Sequence, residues 1–135
     1  KYIKEEEFRD IISILIDAFQ LYGYIEDIND YENIFVVNFY RPLTKTAHEA
    51  FDVMKEIEGV CGIPFTGIIN NSNIGWDTSP EDVLETEERT NKLCSISKLP
   101  LLAVAAEKNV AERLNIKNVF PLTLQRKYFD IKEST

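Results

Sequence analysis

The sequence predicts an α/β fold with a mainly parallel sheet flanked by helices, and two observations carry that expectation. From Tyr31 onward, short apolar β-rich runs alternate with segments of helical period, the pattern of βαβ units stacked around a parallel sheet. The runs are apolar throughout rather than alternating, as strands covered by helices on both sides must be. With 135 residues, 44% of them hydrophobic, the chain suits one domain with a real core.

The N-terminal thirty residues read in two ways. Phe8, Ile12, Leu15, Phe19 and Tyr22 fit one helical face, whereas residues 11–16 also read as a buried strand ending at Asp17; the helix is preferred and the strand stays open. The first clear strand is Ile34-Phe35-Val36-Val37. Turn residues 38–43 follow, and then Thr46 and Glu49 at capping-box spacing open a helix over 47–58, with Ala47, Ala50, Phe51, Met54 and Ile57 on one face. Gly59 and Gly62 supply its stop, and Pro64 precedes a second strand over 65–69, which ends in the polar stretch Asn70-Asn71-Ser72-Asn73.

Ser79 followed by Pro80, Glu81 and Asp82 is a strong helix start: a hydroxyl N-cap, proline at the first helical position, and carboxylates at the positive end of the dipole. That helix is predicted to run to about Ser95. Leu99-Pro100 leads into a continuous apolar run over 101–105 that suits a central strand, and Val110, Ala111 and Leu114 mark a short helix. Residues 119–124 form a last strand, placed at an edge because Pro121 lacks a ladder donor. No internal repeat or linker divides the chain, so residues 1–135 are taken as a single α/β domain.

Composition excludes several classes. Apolar runs such as 14–16 and the six-residue 101–106 fall far short of the roughly 20 residues that cross a bilayer, so no membrane span is expected. The opening Lys1-Tyr2-Ile3-Lys4 has no apolar core like that of a secretory signal and reads as the cut end of something longer, in a cytoplasmic protein. Cys61 and Cys94 lie far apart with no further ligand at metal spacing, and are expected to be small buried thiols. A formal charge of −8 repels phosphate backbones at long range, which disfavours direct nucleic-acid binding.

The stretch Phe35-Val36-Val37-Asn38-Phe39-Tyr40-Arg41-Pro42-Leu43-Thr44, then a helix, then Gly67-Ile68-Ile69-Asn70-Asn71, resembles the later strands of the MinD/ParA-like P-loop ATPases, over about Tyr31 to Tyr128. The resemblance implies part of a P-loop, Rossmann-like three-layer domain, with ATP or ADP and Mg2+ as ligands of the parent and a homodimer or protein partner. It also implies that a strand-end asparagine contacts the adenine base. Asn71 is the best match and Asn70 lies one register away; a side-chain amide offers a donor and an acceptor to the base edge. Arg41 and Pro42 fall in the family's proline-bearing loop, and Glu107, after the third run, falls beside the base. The alternatives read from the residues alone are an Asx-bonded turn at 70–73, a loop ion pair at Arg41, and a helix N-terminus at Glu107.

The sequence also departs from that family. A P-loop needs a glycine-rich run with Lys and Ser or Thr, whose N–H groups, cation and hydroxyl hold phosphate and magnesium. The five glycines, at 23, 59, 62, 67 and 75, form no such run, and if 11–17 is a strand, Asp17 would match the magnesium-side aspartate but is followed by Ala18 and Phe19 in place of glycines. ATP hydrolysis is therefore not expected from these residues alone. His48, the only histidine, reads as a solvated surface residue. Glu5 to Glu7 and Glu85 to Glu88 read as solvated faces, and Lys98, Lys117, Arg126 and Lys127 form no nucleic-acid stripe. Trp76 reads as packed on its own domain or as a partner contact. Two alternatives stand beside this reading: a noncatalytic α/β interaction module binding a protein through an exposed sheet edge, and a small enzyme of flavodoxin-like topology.

Overall fold

A computed structural model describes residues 31–124. The helix-or-strand at 8–22, Asp17, Glu5 to Glu7, Arg126, Lys127 and the end of the family resemblance at Tyr128 lie outside the described residues. Strands β1 (Ile34–Val37), β2 (Gly67–Asn70), β3 (Leu101–Glu107) and β4 (Val119–Leu122) form one sheet in the order β1-β2-β3-β4, with every neighbouring pair parallel. Between them run helices α1 (Ala47–Cys61), α2 (Pro80–Glu85), α3 (Glu87–Ser97) and α4 (Lys108–Glu112). This is the parallel α/β fold that the sequence predicts.

Because spatial order follows chain order, every crossover steps in the same direction, and right-handed crossovers then place their helices on one face of the sheet. Phe35, Val37 and Ile68 on that face are buried against Ala47, Ala50 and Met54 of α1 and Leu93 of α3. Further along, Val104 and Ala106 pack with Val83 of α2, Val110 of α4 and Leu114. The opposite face carries Val36, Ile69, Ala103 and Phe120 by register, and Val36 and Phe120 are 56% and 58% exposed. The expectation that helices cover both faces is thus not met among the described residues, where the architecture has two layers.

The N-terminal caps follow their local signals. The Thr46 hydroxyl oxygen accepts from the Glu49 N–H, and Ser79 and Asp82 form a reciprocal capping box. Two helix ends differ from expectation. Helix α1 passes Gly59 and stops at Gly62, whose φ of 67° permits the left-handed C-cap that bonds back to the Glu58 carbonyl. The single helix expected over 80–95 is two, broken at Thr86, where the backbone N–H and the side-chain hydroxyl both turn back to the Val83 carbonyl, at 3.1 and 2.7 Å. Among the described residues β4 lies at an edge, as Pro121 predicts.

Candidate functional site

The carboxyl ends of β1, β2 and β3 open into the loops 38–46 and 71–79 and the start of α4, which is where open parallel sheets bind ligands. The first loop closes on itself: the Thr44 hydroxyl and the Arg41 N–H both donate to the Asn38 carbonyl, at 2.6 and 3.2 Å. The Asn38 side chain then ties it to the second loop. Its amide donates to the Asn73 carbonyl at 3.1 Å, and its oxygen accepts from the N–H groups of Tyr40 and Asn73 at 2.9 and 3.3 Å.

Asn70 is 2% exposed and committed to the protein. Its Nδ2 donates to Thr86 Oγ1 at 2.9 Å, while Oδ1 accepts from the Ser72 N–H at 3.1 Å and from the Ser72 hydroxyl at 2.5 Å. Ser72 Oγ in turn accepts from the Phe39 N–H at 3.0 Å. Asn73 closes a second Asx turn by accepting from Gly75 N–H at 3.0 Å, with Gly75 at a φ of 81° that its missing Cβ allows. Residues 70–73 thus form the Asx-bonded turn that the residues alone suggested.

Asn71 differs from its neighbours. Its backbone N–H donates to the Val37 carbonyl at 2.7 Å, but its half-buried side-chain amide makes no hydrogen bond among the described residues. It lines a cavity of about 20 Å³ together with Gly75, Glu107 and Leu122, at the ends of β2, β3 and β4. That volume holds about one water, so a larger ligand would have to lie against its mouth or open it. The Glu107 carboxylate is shared: it caps α4 by accepting from the Asn109 and Val110 N–H groups at 2.9 and 3.4 Å. Arg41 and Pro42 sit exposed in the first loop and do not line this cavity, and the Arg41 guanidinium has no bonding partner among the described residues.

Tyr40 and Arg89 complete the loop's attachment. The Tyr40 hydroxyl donates to the Asp82 carbonyl at 2.6 Å and lies 3.5 Å from Glu85 Oε2. Burial, reinforced by Glu85 and Asp82, raises its pKa above the usual tyrosine value. A wider cavity of about 200 Å³ lies on the helical side of the sheet, walled by Val83, Thr90, Leu101 and Val104 with Asn70 at its edge.

His48 and Trp76 are exposed, Trp76 by 48%. Cys61 and Cys94 are free and half-buried rather than fully buried as expected, and burial pushes both thiols up in pKa. Among the described residues no cluster of His, Cys, Asp or Glu forms a metal cage, and no helix is long and apolar enough to cross a membrane. The roles of Asn38, Ser72, Thr86 and Arg89 were missed from sequence. One signal existed for Asn38, because an asparagine follows the Val-Val pair that ends β1 just as Asn70 follows the Ile-Ile pair of β2. Comparisons with family models, curated proteins and solved structures return no match.

Proposed function

We propose that this chain supplies the base-binding part of an adenine-nucleotide domain similar to that of the MinD/ParA-like ATPases, acting in the cytoplasm. The observation that carries this reading is Asn71. Of the asparagines at the ends of β1 and β2, it alone keeps an uncommitted side-chain amide, and it stands beside Glu107 where parallel sheets take their ligands. Asn71 would pair with the adenine edge, and Arg41 would meet the phosphates. Mg2+ would accompany ATP, but these residues encode no phosphate cradle, so they bind without hydrolysing.

Calorimetric titration with ATP and magnesium tests this. Binding should weaken about 2- to 12-fold in Asn71→Ala, the loss of one or so neutral hydrogen bonds at about 0.5–1.5 kcal/mol. Absence of heat at millimolar nucleotide in a cooperatively folded protein would sink the reading. A second reading is then favoured by the exposed Val36 and Phe120 and by β1 lying at an edge of the sheet among the described residues: a noncatalytic module that binds a protein partner.

A further inference from the structure

We propose that Arg89, in the first turn of α3, is the positioning residue that sets the β1–α1 loop for the anionic part of the ligand. This rests on the nucleotide-binding reading. Arg89 Nη1 donates to the Lys45 carbonyl at 3.0 Å and to the Phe39 carbonyl at 3.4 Å, so one cation holds both ends of the loop. Its guanidinium carbon also lies 5.6 Å from the Phe39 ring centre and 5.7 Å from that of Tyr40. Both donations come from one nitrogen, which an ammonium could imitate, but the planar guanidinium adds the two ring contacts, which a compact ammonium reproduces poorly.

Arg89 is itself referenced to the strand ends. Thr86, three residues earlier, accepts from Asn70 Nδ2, so the start of α3 is indexed to the end of β2. The loop with Arg41 and the strand end with Asn71 therefore share one support. Arg41 takes no part in holding its loop through its side chain, which leaves that guanidinium for an anion. Three phosphate groups on an adenosine supply such an anion; adenosine alone does not. The role of Arg89 is thus to place Arg41 without touching the ligand.

The test uses the full chain with Arg89→Met and Arg89→Lys. Trypsin cleavage after Lys45 reports the loop, while Arg41 is protected by the proline that follows it. Arg89→Met should raise cleavage after Lys45 several-fold, leave cleavage at the helical Lys55 and Lys92 unchanged, and weaken ATP about tenfold with adenosine affinity unchanged. Arg89→Lys should restore part of both effects. Unchanged cleavage after Lys45 overturns the proposal, as does a looser loop with unaltered ATP affinity. Equal weakening of ATP and adenosine with a lowered melting temperature would make Arg89 merely structural. If the wild type binds neither ligand, the nucleotide reading falls and takes the ligand role of Arg89 with it; wild-type binding that Arg89→Met does not alter overturns the Arg89 proposal alone.

Discussion

Asn70 and Asn71 are chemically identical neighbours, and strand alternation separates them. The pleat turns consecutive side chains to opposite faces, so Asn70 enters the helix-packed side and finds Thr86 and Ser72. Removing its amide strands both partners in a buried setting. Asn70→Ala should therefore cost about 1–3 kcal/mol in urea unfolding, whereas Asn71→Ala should stay within about 0.5 kcal/mol. Similar losses at both positions would mean that Asn71 is also committed within the fold. The polar run was legible in the sequence, but the division of labour within it was not, because Thr86 lies 16 residues away.

At the scale of elements, local signals succeeded and remote ones were lost. The Ser79 cap was legible because its bonds span three residues: Asp82 N–H to Ser79 Oγ at 3.2 Å and Ser79 N–H to Asp82 Oδ2 at 2.8 Å. Ser79→Ala should destabilise the protein by about 1 kcal/mol, read as a lower denaturation midpoint with unchanged slope. An unchanged midpoint would show that Pro80 and packing alone fix the start of α2. The break at Thr86 had no such signal. Its hydroxyl donates to the Val83 carbonyl at 2.7 Å while accepting from Asn70, so a strand end determines where a helix stops. The extension of α1 past Gly59 is a smaller case, since either glycine could end the helix and only Gly62 takes the left-handed conformation.

Across the whole molecule, the two sheet faces should behave differently. Phe35 is 6% exposed and meets Phe65 edge-on at 5.2 Å, while Phe120 is 58% exposed. Phe35→Ala should cost about 3–5 kcal/mol, and Phe120→Ala within about 0.5 kcal/mol, in denaturant unfolding of the full chain. A large loss at Phe120 would reveal that the outer face is covered in solution. Apolar runs in the sequence could not distinguish these faces, since Val36 and Val37 have the same hydropathy and opposite exposures.

By itself the sequence determined the parallel α/β class, the strand positions, the caps at Thr46 and Ser79, and the asparagine run at the end of β2. Those features depend on periodicity and on bonds between residues a turn apart, which a linear reading contains. Tertiary structure alone decided which sheet face is buried, which asparagine keeps its amide, and that Arg89 grips a loop 44 residues earlier. Each of those outcomes depends on groups brought together by crossovers, and such contacts have no fixed spacing along the chain.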